Sequence, residues 1–194
     1  SIPATAQITH LSLSRCSRLQ GPGVVRFLTT HPAVRESLIY LNLMTDPSRY
    51  RILEPEDVKA LLPRLPSSLR SLNLGGARIS SAHAPYLLPL TKHLEELGLA
   101  SADLSAKDLN SFFTKPQEEE PEAEHLPSTL RYLDLTKVTQ ITLGTIFNTG
   151  ACLLLSQQSY PLQVIEFSDK IISPLKDRNK GGKSSIGWTV REIG

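Results

Sequence analysis

The stretch LRSLNLGGARI, from Leu69 to Ile79, has leucines three and then two residues apart, followed by two adjacent glycines. Successive side chains of a β-strand point to opposite faces. The alternation therefore predicts a short strand that turns Leu72 and Leu74 inward and Asn73 outward. Whether this strand belongs to an ordinary sheet or is one copy of a repeat depends on the rest of the chain.

The same pattern, apolar-x-x-apolar-x-apolar, recurs along the chain. Its six copies are ITHLSL (8–13), LIYLNL (38–43), LRSLNL (69–74), LEELGL (94–99), LRYLDL (130–135) and LQVIEF (162–167). The middle apolar residues lie at positions 11, 41, 72, 97, 133 and 165, so consecutive copies are 30, 31, 25, 36 and 32 residues apart. A period of this kind is the signature of a repeat architecture.

The segments between the copies have helical spacing. Ser105 is a predicted N-cap, and Leu109, Phe112 and Phe113 follow it at positions i, i+3 and i+4. EPEDVKALLPRL has a proline near its start, acidic residues in its first turn and three apolar residues on one face: Val58, Leu61 and Leu62. Strand and helix alternate, and stacked units of this kind bury a continuous core between a parallel strand layer and a helix layer.

The six phrases, with the apolar anchor that follows most of them, resemble the leucine-rich repeat family of the ribonuclease-inhibitor-like or cysteine-containing type. The anchors are Leu19, Ile79, Leu104, Ile141 and Ile171. The resemblance covers about residues 8–172. It implies an α/β fold, a right-handed solenoid or horseshoe of about six repeats, with a parallel β-sheet on its concave face and helices outside.

We therefore expect one leucine-rich-repeat domain over residues 1–172, with an acidic insertion at 115–125. The insertion contains QEEEPEAEH, which cannot bury enough apolar surface to order itself, so it is predicted to be a mobile loop. Residues 173–194 are predicted to form a basic flexible segment and a C-terminal cap or the start of a truncated repeat. Trp188 is expected to cover the last repeat, because an uncapped repeat exposes its core.

Composition narrows the class of protein. The formal net charge is only +2, which gives no general reason to bind nucleic acid or an anionic membrane. Two distant cysteines form neither a zinc motif nor a disulfide framework, so we expect an intracellular protein of the cytoplasm or nucleus. No apolar run approaches the roughly 18–20 residues of a membrane span. Because the chain begins at Ser1, we expect it to be a fragment.

No combination of residues predicts catalysis, a cofactor, a metal or a small-molecule substrate. GGKSS (181–185) resembles the end of a phosphate-binding loop, but Asp177 occupies the position of the required first glycine. The histidines show no zinc spacing and are predicted at the surface or at helix ends: His10, His31, His83, His93 and His125. Neither cysteine has a nucleophile signature, and Cys16 is expected to be buried.

The family resemblance implies that outward residues of the concave sheet contact a protein partner. The predicted partner-binding residues are Tyr40, Asn42, Met44, Asn73, Gly75, Glu96, Tyr132, Asp134 and Glu166. We expect a shallow depression at the small residues Gly75, Gly76, Gly98 and Ala100, between Tyr40 and Met44 on one side and Tyr132 on the other. The alternative is that the tyrosines merely cover their strands and the glycines form turns.

These observations predict a protein–protein interaction scaffold without catalysis of its own. LSLSRCSRL (11–19) resembles the cysteine-containing repeat of many F-box proteins, so the substrate-recognition part of an F-box-type ubiquitin ligase is the alternative. A further alternative is nucleic-acid binding, or an enzyme-associated role, through the basic stretch Lys176 to Lys183. Nucleic acid is disfavoured on the sheet because few basic residues face outward there.

Overall fold

A computed structural model describes residues 2–3, 5–46, 48, 52–114, 127–148 and 152–180. Within these ranges the chain is an α/β protein with a single six-stranded parallel sheet, in which the strands are ordered as in the sequence. The strands are β1 His10–Ser12, β2 Tyr40–Asn42, β3 Ser71–Asn73, β4 Glu96–Gly98, β5 Tyr132–Asp134 and β6 Val164–Glu166. Each strand falls on one of the six sequence phrases, so the prediction of a parallel sheet is confirmed.

Seven α-helices lie between and after the strands in the described residues. They are α1 Gly21–Thr30, α2 Pro32–Arg35, α3 Pro55–Leu61, α4 Ala84–Leu90, α5 Ala106–Ser111, α6 Leu143–Phe147 and α7 Asp169–Lys180. Short 3-10 helices occur at Leu62–Arg64, Ser81–His83 and Gln157–Ser159. Helix α3 begins at Pro55 and α5 follows the N-cap Ser105, as predicted. Both helices carry a capping box, which satisfies N–H groups that have no partner within the helix.

The register of the sheet places every strand in step with the next. The middle apolar residues pair across all six strands and form one inward row: Leu11, Leu41, Leu72, Leu97, Leu133 and Ile165. From Leu41 to Leu133 the members of this row are at most 1% exposed. They pack with apolar helix residues such as Val58, Leu87 and Leu109 into one hydrophobic core. The outward residues therefore form aligned columns on the other face of the sheet.

Hydroxyl groups connect successive phrases at a position that the sequence interpretation missed. In three copies a serine or threonine directly before the phrase donates to the carbonyl of the first apolar residue of the preceding copy. These bonds are Ser37 Oγ to Ile8 O (3.1 Å), Ser68 Oγ to Leu38 O (2.9 Å) and Thr129 Oγ1 to Leu94 O (2.7 Å). In the fourth copy His93 occupies this position. Its pKa is lowered, mainly by burial and secondly by the positive charge of Arg70.

A left-handed residue follows the strand in four copies, four positions after the middle apolar residue. These residues are Arg15, Gly76, Ser101 and Lys137, with φ of 61°, 79°, 63° and 59°. In each, the N–H of the next residue donates to a carbonyl three residues earlier, as in the bond from Ala77 to Leu74 (3.0 Å). Positive φ is characteristic of the third residue of a type II turn, where glycine is favoured. The second glycine of LRSLNLGGARI is thus a turn residue.

Two expectations about individual side chains are wrong. Leu19 is 37% exposed and is not a core anchor, whereas Val24, Val25 and Leu28 of α1 are buried in the core. Cys16 is only partly buried, since its side chain lies at the margin of the same cluster.

His83 lies at a helix end, which is one of the two predicted locations for the histidines, and it is 1% exposed. It is buried because its ring joins two repeats. Nδ1 accepts from Ser80 N–H (3.1 Å) and Nε2 donates to the carbonyl of Pro55 (3.1 Å).

The C-terminal part differs from the predicted flexible segment. Helix α7 passes the expected boundary at residue 172 and continues to Lys180, because Ile171 and Leu175 anchor it in the core. The remaining predictions for this end, at 181–194, lie outside the described residues. The acidic insertion and His125 also lie outside them.

Candidate partner-binding surface

The outward face of the sheet contains a depression of about 230 Å³ between two tyrosines. Its lining is Tyr40, Ser71, Leu72, Asn73, Glu96, Gly98 and Tyr132. Of the nine predicted binding residues, four line it: Tyr40, Asn73, Glu96 and Tyr132. The structure also brings in Ser71, which the sequence interpretation did not select. The cross-strand register places Ser71 directly opposite Glu96 and would have identified it.

The depression lies nearer the strands than expected. Gly75 and Gly76 are buried in the turn after β3 and do not line it. Met44 is half-buried, and its Cγ lies close to Gly75, so that a Cβ built on Gly75 would be 3.3 Å away. Met44 and Gly75 therefore pack against each other beside the depression instead of forming its wall.

Gly98 provides room for its neighbour on β3. A Cβ built at Gly98 would lie 2.7 Å from both Cγ and Oδ1 of Asn73, so the asparagine side chain lies across the glycine. Atoms this close cannot coexist without a shift. The absence of a side chain at 98 thus keeps Asn73 in place on the floor of the depression.

The second outward column consists of the last residue of each strand: Ser12, Asn42, Asn73, Gly98, Asp134 and Glu166. The Oδ1 atoms of Asn42, Asn73 and Asp134 accept the N–H of the residue two positions later, at 3.0, 2.9 and 2.8 Å. Such bonds are typical of asparagine and aspartate at turns. These three predicted binding residues are therefore fixed in orientation by the turn that follows each strand, which the spacing of Asn or Asp before the turn could have indicated.

Both tyrosine rings are held by neighbours. Tyr40 stacks on His10 of β1, with ring centroids 5.9 Å apart and an interplanar angle of 21°. Tyr132 is half-buried and lies close to the carboxylate of Glu166 on the next strand. Burial first, and then Glu166 with the charges of Asp134 and Glu96, raises the pKa of Tyr132 well above its usual range. The rings are thus positioned before any partner binds.

Glu96 supplies a charge at the depression. Its side chain is exposed, and Oε2 accepts the Ser71 hydroxyl at 2.7 Å. Asp134 and Glu166 lie on the next two strands, close enough to Tyr132 to affect its pKa. The three outward columns are formed by the first and third residues of each strand and the second residue after it, and they contain these three carboxylates and no lysine or arginine. The face is acidic although the chain has a net charge of +2.

Val164 lies beyond Tyr132 in the first column and is 46% exposed. Sequence interpretation did not select it.

Within the residues that the structure describes, no three His, Cys, Asp or Glu side chains are grouped as metal ligands would be. No helix in those ranges has the length and apolar character required to cross a bilayer.

Neither a search of protein-family models nor one of curated proteins finds a match to this chain.

Proposed function

We propose that this chain is a right-handed leucine-rich-repeat solenoid that acts as a protein-interaction scaffold and recognises a protein partner through its concave sheet face, without catalysis of its own. The repeated phrases, their in-register pairing and the alternation of strand with helix support this fold. Stacked repeats of this kind present an extended face whose shape is set by the repeat itself.

The depression between Tyr40 and Tyr132 is the observation that carries the function. Tyrosine is enriched among the residues that dominate binding energy, because its ring adds apolar area and its hydroxyl adds a polar end. Immobilising a free side chain on binding costs about 0.5–1.5 kcal/mol. The stacking of Tyr40 on His10 and the half-burial of Tyr132 reduce that cost.

The size and charge of the face favour a protein over other ligands. Pockets for small molecules typically have volumes of about 300–1,000 Å³, and this depression has about 230 Å³. Nucleic-acid binding depends on lysine and arginine contacts to phosphates, whereas the outward columns carry carboxylates. A single protruding side chain of a protein partner matches both properties.

Affinity purification with the wild-type chain and with a Tyr40→Ala/Tyr132→Ala variant tests the proposal. We expect recovery of specific partners to fall at least tenfold, since loss of a dominant interface residue costs about 2 kcal/mol or more. Tyr86→Ala is the matched control, because Tyr86 is 39% exposed on α4, away from the sheet. Circular dichroism confirms folding of each variant. Retention of every specific partner by the double variant would contradict the proposal.

A further inference from the structure

The sheet face has a sign of charge that singles out one kind of partner. Glu96, Asp134 and Glu166 surround Tyr132 on β4, β5 and β6. The basic side chain of Arg70, just before β3, is held by the backbone: its guanidinium donates to the carbonyls of Ser67 and Leu69 at 2.7 and 3.0 Å. The field at the depression therefore attracts a cation, and complementary charge gives an interface its specificity and association rate.

We infer that the partner inserts an arginine side chain into the depression between Tyr40 and Tyr132, with Glu96 as its counter-charge; this inference rests on the proposed function of the sheet face. Glu96 uses Oε2 to accept the Ser71 hydroxyl, and that bond orients the carboxylate. Its second oxygen accepts from the guanidinium. The two tyrosines offer aromatic surface on either side of the depression.

Arginine fits this arrangement better than lysine. A guanidinium is planar, stacks on aromatic rings and presents several N–H donors in a fixed geometry. It is also more weakly hydrated than an ammonium group, so it enters a partly apolar site at lower cost. The rings of Tyr40 and Tyr132 form the apolar part of the lining, and Asn73 and Glu96 a polar part. A long side chain with an apolar stem and a charged end can contact both the apolar and the polar part of the lining.

A library of random twelve-residue peptides displayed on phage, selected on the full chain and depleted on the Tyr40→Ala/Tyr132→Ala variant, tests the inference. We expect the enriched peptides to share an arginine. Synthetic peptides in which citrulline replaces that arginine should bind at least tenfold more weakly, because citrulline keeps the shape and loses the charge. Lysine in its place should weaken binding severalfold.

The variant Glu96→Gln tests whether Glu96 is the counter-charge of the arginine. It should weaken arginine peptides at least tenfold and leave the citrulline peptides unchanged. Glu36→Gln, at an exposed carboxylate after α2, should change neither. Three results overturn the inference: enriched peptides without arginine, no enrichment over the tyrosine variant, or equal binding by Glu96→Gln. If affinity purification still finds partners that require the two tyrosines, the scaffold function stands and only the arginine is wrong.

Discussion

The central strands β3 and β4 and the first strand β1 contain the same phrase, yet their leucines differ in burial. Leu72 and Leu97 are 1% and 0% exposed. Leu11 and Leu13 of the first copy are only partly buried at the margin of the core. The central strands have a strand on each side, whereas β1 pairs with β2 alone in the described sheet. The comparison teaches that the burial of each phrase is supplied by the neighbouring strands of the sheet and is not a property of the phrase itself.

Truncating the inward leucines tests this difference most strongly. Leu97→Ala should lower the free energy of unfolding by about 2–5 kcal/mol, as for a fully buried leucine. Leu11→Ala should cost less than about 1.5 kcal/mol, because less of its surface leaves water on folding. Urea denaturation followed by circular dichroism measures both. Equal losses would mean that β1 is as well covered as the centre.

The turns after the strands also differ between the centre and the first repeat, because the left-handed residue is enclosed by a neighbour only at the centre. Gly76 has φ of 79°, and a Cβ there would clash with the carbonyl of Thr45 on the preceding repeat. Gly76→Ala should therefore cost about 2–4 kcal/mol, from left-handed strain and overpacking together.

The first repeat provides the control for this substitution. Arg15 has φ of 61° and an exposed side chain. Arg15→Gly should change the free energy of unfolding by less than about 1 kcal/mol, because relief of strain and the added freedom of the unfolded chain oppose each other. A larger effect at Arg15 than at Gly76, in the same denaturation experiment, would reverse the comparison.

The smallest expected difference concerns the helix starts. Asp108 Oδ2 accepts the Ser105 N–H at 2.8 Å and the Ser81 hydroxyl at 2.6 Å, which joins α5 to the preceding repeat. In the first repeat, Gln20 precedes α1 without a side-chain cap. Asp108→Asn should cost about 1 kcal/mol at neutral pH, and Gln20→Ala less than about 0.5 kcal/mol.

The effect of Asp108 should depend on pH. Burial acts to raise its pKa, but hydrogen bonds from Ser81 and Ser105, with the charge of Lys107, lower it more, so the pKa in the folded chain is below the usual value. Its contribution is therefore complete above the unfolded pKa of about 3.9 and is lost as the pH falls through the folded value. The stability gap between wild type and Asp108→Asn should narrow below about pH 4; a gap independent of pH would exclude this contribution.

Much of the architecture could be predicted because it depends on local pattern. The alternation in LRSLNL predicts both the strand and its inward side, and Ser105 and Pro55 predict where α5 and α3 begin. The burial of His83 could not be predicted, since its partner, the carbonyl of Pro55, comes from an earlier repeat. The depression was expected at Gly75, Gly76, Gly98 and Ala100. Gly98 lines it, but contacts with Met44 and Thr45 from the previous repeat enclose Gly75 and Gly76.

The sequence by itself determined which residues form strands, which side of each strand faces the core and that a tyrosine-bearing face with few basic residues lies opposite. Only the tertiary structure decided which outward side chains meet. Ser71 donates to Glu96, 25 residues later in the chain, and Asn73 lies over Gly98. Such contacts depend on the register between strands, which stacking of whole repeats sets. No single strand can specify it alone, because a short strand is stable only when its neighbours cover it.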